Sequence, residues 1–481
     1  MDVVKKYTIG LSMLAFGTLQ AQEFLIREMP SLINVQYSAV AFADVNGDGN
    51  LDLLLSGADG GYALRSNLYL NDGTGNFALS NNPNLMVIRE GATAFADIDG
   101  DGDQDLLITG ITEVVTPAGN YGTRVKLYRN DGTGMFSEIA NPGLEAVSQS
   151  AVLFRDIDND GDVDLFMAGQ GGGTPVTNLY VNDGSGNFTL TNANIPAKIN
   201  LTYASIAMAD IDGDDDPDLL LTGMDGSDSQ IKMALYKNNG SGVFTKVNNP
   251  GIEPVFTGGA VFEDIDNDGD SDLMMMGADP LYAKVAKLYR NDGSGNFTVI
   301  ANTPFIGAQY GDVKFADVNN DGLKDVLITG YRNPNTRADL YVNNGNAGFA
   351  MATDMPFVGV NNSAAAFADV DNDNDMDLII TGQNSPLGTL TRLYINQTNA
   401  LSVADPQTIT VKLYPNPAQH TITVQIPTGT VVEKMEVYDS LGKLVVQQSG
   451  PTIAVEKLPT ALYMVVVYTD KGIKTCQFFK N

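Results

Sequence analysis

Asp97-Ile98-Asp99-Gly100-Asp101-Gly102-Asp103-Gln104-Asp105 is the stretch that decides the fold. Carboxylates stand at its first, third, fifth and ninth positions, and Gly102 at the sixth permits a sharp turn. With that turn the four acids converge on one point, and the seventh residue can add its carbonyl. An all-oxygen cage with this many protein ligands suits Ca²⁺ better than Mg²⁺. Two carboxylates about 5 Å apart repel by roughly 3 kcal/mol at an effective dielectric near 20, so a cation is expected. The pattern recurs with starts at Asp44, Asp97, Asp156, Asp210, Asp264, Asp317 and Asp369. The differences between successive starts are 53, 59, 54, 54, 53 and 52 residues.

Working outward, each acidic loop sits in a larger unit. A short apolar strand precedes it, as at Ala92–Ala96 and Ala364–Ala368. An apolar strand ending in Gly follows it, as at Leu53–Gly57, Leu106–Gly110 and Leu273–Gly277. After a variable loop comes Leu-Tyr-x-Asn, beginning at Leu68, Leu127, Leu179, Leu235, Leu288, Leu340 and Leu393. A turn such as Asn71-Asp72-Gly73-Thr74-Gly75 then leads to a fourth strand opened by an aromatic such as Phe77 or Phe136. Four antiparallel strands repeating at about 50 residues make a propeller blade. The seventh unit ends at Asn396 without a fourth strand, whereas Phe24-Leu25-Ile26-Arg27 precedes the first unit. The fold expected is all-β, a seven-bladed propeller closed by this N-terminal strand, followed by a small C-terminal β-sandwich.

This arrangement resembles the FG-GAP/VCBS-type repeats, relatives of the integrin α-subunit propeller, over about residues 24–399. The second half of each loop departs from an EF-hand, because position 12 is Leu55 or Ile108 and a strand follows. The resemblance carries metal ligands onto Asp44, Asn46, Asp48 and Asp52; Asp97, Asp99, Asp101 and Asp105; Asp156, Asp158, Asp160 and Asp164; and Asp210, Asp212, Asp214 and Asp218. It continues with Asp264, Asp266, Asp268 and Asp272; Asp317, Asn319, Asp321 and Asp325; and Asp369, Asp371, Asp373 and Asp377. Up to seven Ca²⁺ are implied, one per blade, as structural staples. Position 6 is Asp215 in the fourth loop and Asn374 in the seventh, so the fourth loop is expected to have the poorest geometry.

Both chain ends read as export signals. Lys5 and Lys6 precede a mostly apolar Tyr7–Leu19, and residues 1–21 read as a signal peptide. The propeller is assigned 22–396, a polar linker 397–407, and a C-terminal domain 408–481. The last contains Leu413-Tyr414-Pro415-Asn416-Pro417, Val437-Tyr438-Asp439-Ser440-Leu441-Gly442-Lys443 and Leu462-Tyr463-Met464-Val465-Val466. It resembles the type A sorting domain of the type IX secretion system. That resemblance implies the type IX machinery as partner, removal of this domain, and an extracellular or outer-membrane-surface destination. No transmembrane segment is expected in the mature chain.

Composition narrows the partners. Asp and Glu number 58 against 28 Lys and Arg, a net charge of −30, which disfavours nucleic acid and anionic membranes. Cys476 is the only cysteine, so no intrachain disulfide forms and metal becomes the natural staple. His420, the only histidine, lies in the sorting segment. No nucleophile elbow or zinc-binding His pair occurs. The expected function is therefore a monomeric, non-catalytic binding or adhesion module for a glycan or protein ligand, with no catalytic residues assigned. A polysaccharide-cleaving, lyase-like propeller and a purely structural surface protein are the alternatives. Strand parity puts the acidic loops and Asn-Asp-Gly turns on one face, and the loops between second and third strands on the other. Those loops hold Tyr62, Tyr121, Tyr282 and Tyr331, the candidate ligand contacts.

Overall fold

The structure, a computed structural model, describes residues 24–481 except 82–84, 114–120, 192–193, 196–197, 249, 346, 399–411, 426–430, 440–442 and 470–471. The segment read as a signal peptide, most of the segment read as a linker and the Tyr121 side chain lie outside the described residues. The chain divides into two compact units, Met1–Asn399 and Ala400–Asn481.

The first unit is all-β, with seven four-stranded antiparallel sheets and no α-helix among the described residues. Six sheets are built from four consecutive strands. The first strands are Gln36–Ala43, Arg89–Ala96, Ser148–Arg155, Leu201–Ala209, Phe256–Glu263, Val313–Ala316 and Asn361–Ala368. Each touches the next, and the last touches the first, so the sheets form a closed ring of blades around an axis. The seventh sheet takes its outer strand from the N-terminus: Phe24–Arg27 pairs antiparallel with Gly388–Asn396, with Phe24 opposite Asn396.

Packing explains why the second strands are continuous apolar runs. Asp52–Ala58 is buried along its whole length. Leu53 and Leu55 join a core with Ile379 and Leu393 of the seventh blade, while Leu54 packs with Leu106 and Ile108 of the second. A strand buried on both faces has no polar side to alternate. All seven tyrosines of Leu-Tyr-x-Asn are fully buried. The Tyr69 and Tyr128 hydroxyls accept the Ile33 and Met86 amides, pinning the link before each blade.

Two of the hairpins between second and third strands are tighter than the sequence suggests. The loop expected to hold Tyr331 reduces to Asn333-Pro334 between Asp325–Arg332 and Asn335–Asn343. In the seventh blade only residues 385–387 lie between Asp377–Asn384 and Gly388–Asn396. In these two blades most of what reads as variable loop is strand, because the hairpin ladder runs past the apolar core and its solvent-facing end carries no hydrophobic pattern.

The second unit has two sheets, one of Lys412–Tyr414, Thr421–Gln425 and Thr452–Ala454, the other of Leu444–Ser449, Val432–Tyr438, Ala461–Thr469 and Gly472–Lys480. Ile422 and Ile453 from the first sheet share a core with Met435, Val437, Val465 and Phe478 from the second, a small sandwich.

Candidate metal centres and an axial cavity

In every acidic loop the first Asp organises the turn. Gly49 donates its backbone N–H to Asp44 Oδ2 at 2.8 Å, and Gly102 to Asp97 Oδ2 at 2.9 Å. The fourth loop keeps this geometry despite its side chain. Asp215 has φ 67° and donates to Asp210 Oδ2 at 2.8 Å. Asn374 behaves alike, with φ 65° and a 3.0 Å bond to Asp369 Oδ2. The expected distortion of loop four is absent from the backbone.

The ninth residue is a buried keystone. Asp52 Oδ2 accepts the Val45 amide of its own loop, and Oδ1 accepts the Asn71 amide at the end of the third strand. Burial, chiefly, pushes these carboxyls up: to about 6 at Asp52, Asp105, Asp164 and Asp272, about 7 at Asp218 and Asp325, and about 8 at Asp377. A neighbouring cation would oppose that shift by favouring the charged form.

The third residue tests whether a cation fits. Oδ1 of Asp99, Asp158, Asp212, Asp266 and Asp371 is buried with no hydrogen-bond partner. The same atom is left so in every loop that carries Asp at this position. A buried carboxylate oxygen without a partner is costly unless a cation supplies one. Three carboxylates of one loop lie with oxygens within 4.8 Å of one another at Asp97, Asp99 and Asp101, and at Asp156, Asp158 and Asp164. Parallel groups occur at Asp210, Asp212 and Asp218, at Asp264, Asp266 and Asp272, and at Asp369, Asp371 and Asp377. These hard oxygen donors fit a calcium-like ion. In the first and sixth loops Asn46 and Asn319 instead donate Nδ2 to Asp48 and Asp321, both at 3.0 Å.

The sequence alone did not disclose what the Asn of Leu-Tyr-x-Asn does. Its side chain crosses to the preceding blade and donates Nδ2 to the carbonyl of that loop's second residue. Asn130 reaches Val45 O at 2.8 Å, Asn182 Ile98 O at 2.8 Å, Asn238 Ile157 O at 2.7 Å and Asn291 Ile211 O at 2.9 Å. Asn343 reaches Ile265 O at 2.7 Å, Asn396 Val318 O at 2.8 Å, and Asn71 closes the ring on Val370 O at 2.8 Å. The seven loops are thus tied to one another. The residue before this Asn matters too. Arg129, Lys237 and Arg290 pair with Asp99, Asp212 and Asp266. Where position three is Asn, the equivalent residue is Leu70 or Val342, but it is also apolar, Val181, in the third blade, whose loop carries Asp158. In the seventh blade it is Ile395, and Arg27 of the closing strand provides the charge near Asp371. Arg27 also donates to Thr74 O at 2.7 Å, as Arg129 does to Ser185 O at 3.1 Å.

At the other end of the first strands lies an open cavity of about 650 Å³, lined by residues from all seven blades. Each blade contributes one non-glycine residue with positive φ: Tyr37, Glu90, Gln149, Tyr203, Thr257, Tyr310 and Asn362, at 46–55°. These are β-bulges, seen as register breaks such as Gln36/Ala39 and Arg89/Ala92. A bulge re-aims a side chain, and left-handed backbone costs about 1–2 kcal/mol per residue. Two sequence traces mark this device: the Gly near the end of each second strand, and the small residue after each bulge, which is Gly91, Gly258 and Gly311 in three blades and Ser or Ala in the others. A Cβ on Gly57 would lie 2.8 Å from Gln36 O, and one on Gly277 would lie 2.6 Å from Phe256 O.

Gln149 sits at the centre of a hydrogen-bonded group in the cavity. Its Nε2 donates to Glu90 Oε2 at 3.1 Å and Tyr203 OH at 2.8 Å, and its Oε1 accepts Thr202 Oγ1 at 2.9 Å. Burial, then Tyr62 and Glu90, raises the Tyr37 phenol; burial, then Glu90 and Tyr310, raises that of Tyr203. Of the tyrosines singled out in the hairpins, Tyr331 lines the cavity. Tyr62 lies close enough to act on Tyr37, and Tyr282 packs edge-on against Phe256, which packs on Tyr203.

Comparison with known proteins agrees with this architecture. The FG-GAP-like repeat model matches residues 44–108, 109–167, 156–221 and 317–380, together just over half of the chain, which therefore belongs to the FG-GAP-like repeat family. Residues 412–481 match the secretion system C-terminal sorting domain, which directs the chain through type IX secretion to the cell surface or beyond. No curated protein matches. Among solved structures, the extracellular domain of a protein described as a hybrid two component system from B. thetaiotaomicron is similar at TM-score 0.45 and 10% identity. That match covers 96% of this chain and spans 58% of the other. An exo-inulinase from Aspergillus awamori is similar at TM-score 0.27 and 10% identity, covering 94% of each chain. A β-fructofuranosidase from Schwanniomyces occidentalis gives TM-score 0.28 and 11% identity, covering 97% of this chain and 93% of the other.

Proposed function

We propose that this extracellular propeller is a calcium-stapled, non-catalytic binding module. Calcium in the acidic loops sets the scaffold, and the axial cavity on the far face takes the ligand. The observation that carries the reading is that seven equivalent, strained backbone positions present dissimilar side chains to one cavity. Strain kept at a cavity is a mark of function, and diversity on a repeated frame is a mark of recognition. Binding is favoured over cutting by what lines the space. Hydrolysis of a glycosidic bond ordinarily uses two facing carboxyl groups, and Glu90 is the one carboxylate among the described lining residues. A lyase would need a base, and the phenols of Tyr37 and Tyr203 are raised, the wrong direction for that role. The mature form in this reading runs from about residue 22 into the 397–407 linker, after loss of the signal peptide and sorting domain. Intact mass of the secreted chain checks those ends. Function is tested by incubating the calcium-loaded protein with neutral and uronate polysaccharides. Retention of a polysaccharide without release of shorter products supports a binder; accumulating unsaturated or reducing ends would replace it with an enzyme.

A further inference from the structure

We propose that the axial cavity receives the end of a neutral oligosaccharide, with sugar rings against Tyr37, Tyr203 and Tyr310 and hydroxyls met by Glu90 and Asn362. This rests on the binding-module reading above and adds the ligand class. The volume of about 650 Å³ lies within the range of small-ligand sites and admits two or three sugar rings. Tyrosine supplies a flat apolar face and a polar rim, as a sugar does, at low entropic cost.

Charge decides among ligand classes. No Lys or Arg is among the described lining residues, and the whole chain is strongly acidic, so uronates and sulfated sugars are repelled. A cationic peptide would need an available carboxylate. Glu90 already accepts Gln149 Nε2 at 3.1 Å and has Arg89 Nη1 at 3.7 Å from its other oxygen. Its charge is therefore compensated, and it remains a hydrogen-bond acceptor suited to a hydroxyl. An apolar peptide fits no better, since Ser38, Ser150 and Ser363 interleave with the rings. Gln149 is a positioning residue: both ends of its amide are engaged, which holds Glu90 and Tyr203 in place before the ligand arrives.

The test uses the full chain with calcium and a panel of maltohexaose, cellohexaose, laminarihexaose and mannohexaose, alongside oligogalacturonate and an oligolysine peptide, followed by calorimetry. At least one neutral hexasaccharide is expected to bind. Tyr203→Asn and Tyr310→Asn should each weaken it tenfold or more with an unchanged melting temperature; Gln149→Ala should weaken it less. Should Tyr203→Asn fail to fold, Tyr310→Asn carries the test. Saccharide binding that ignores both tyrosine variants overturns the cavity assignment and leaves the binding module standing. Binding of oligolysine or oligogalacturonate but no neutral hexasaccharide overturns the ligand class. Cleavage of any panel member overturns the underlying reading itself. No binding by any neutral hexasaccharide overturns the proposal.

Discussion

At one end of the seven first strands the chain repeats itself, and at the other it does not. The acidic loops keep Asp at positions one, five and nine throughout, and the five with Asp at position three share one buried oxygen, on Asp99, Asp158, Asp212, Asp266 and Asp371. The axial bulges repeat the backbone more closely than the side chain: φ stays within 46–55° while the residue is Tyr in three blades and Glu90, Gln149, Thr257 and Asn362 in the others. On the proposed reading the loops cage a hard cation, which tolerates few donor sets, so the four donor positions vary only between Asp and Asn. A recognition surface needs only that the backbone aim its side chains inward. The comparison separates what keeps the ring together from what the ring presents, and each of the following experiments strikes one side of it.

Removing calcium strikes the loops and should have the largest effect. A ligand bound only to the native state adds RT ln(1+[L]/Kd) per site, about 1–3 kcal/mol at concentrations ten- to a hundredfold above Kd. Seven linked loops make the sum large, so EGTA should lower the melting temperature by more than about 10 °C. The gap should depend on pH. In the cation-free protein the ninth-position carboxyls are raised, to about 6 at Asp52 and about 8 at Asp377. A raised carboxyl contributes stability that is complete below its unfolded value and is lost as pH climbs through the folded value. The calcium-free propeller should therefore weaken from about pH 4 to pH 8, while the calcium form, which favours the charged carboxylates, gains over the same window. A melting difference that stays constant across these pH values would remove calcium from these loops.

Breaking one inter-blade tie should come next. In Asn182→Ala the Ile98 carbonyl loses its donor in a buried setting, at a cost of about 1–3 kcal/mol. Chemical denaturation would read it, and the same loss is expected for Asn130→Ala. This tie marks the limit of what the sequence disclosed. The blades, the acidic loops and the closing Phe24–Arg27 strand were legible because each repeats, or completes, a pattern of charge and alternation. Asn182 was legible only as a strand marker, since its partner lies 84 residues earlier in another blade. The cavity was hidden for the opposite reason. Its bulge residues share a backbone shape while their side chains range from Tyr to Glu to Asn, so only the Gly near the end of each second strand and the small residue after each bulge hinted at it. Attention to tyrosines in the hairpins found Tyr331 and passed over Tyr37, Tyr203 and Tyr310, which lie on the first strands or just before one.

A smaller effect should distinguish loops within the metal face. Five loops have a charged third position with a partnerless oxygen, and two have an Asn already bonded to the fifth residue. Calorimetric titration should resolve a stronger and a weaker class of calcium site. Asp99→Asn should move one site into the weaker class, by roughly tenfold in Kd, because charge count tunes such sites. It also leaves Arg129 without its carboxylate partner, so Arg129→Leu in the same chain should recover stability, an apolar residue being accommodated there at Leu70, Val181 and Val342. Seven equivalent sites would contradict the distinction.

The smallest expected change, and the only one of opposite sign, belongs to the cavity. Tyr310 holds φ 54° and is 42% exposed as a residue, so its backbone strain is offset by little packing. Asn accepts left-handed backbone far more readily than Tyr. Tyr310→Asn should leave stability unchanged or raise it by about 0.5 kcal/mol, well below the relief an isolated residue would feel, because some ring contact is lost. The backbone bonds from Tyr310 N to Thr257 O at 2.6 Å and from Ser363 N to Tyr310 O at 3.4 Å do not involve the side chain and should persist. The same variant should lose ligand binding. A residue whose replacement helps the fold while harming recognition is kept for recognition, which is the trade-off expected of a functional site. If Tyr310→Asn instead costs more than about 1 kcal/mol, the ring is structural, and the axial bulges belong with the acidic loops as part of what holds the blades together.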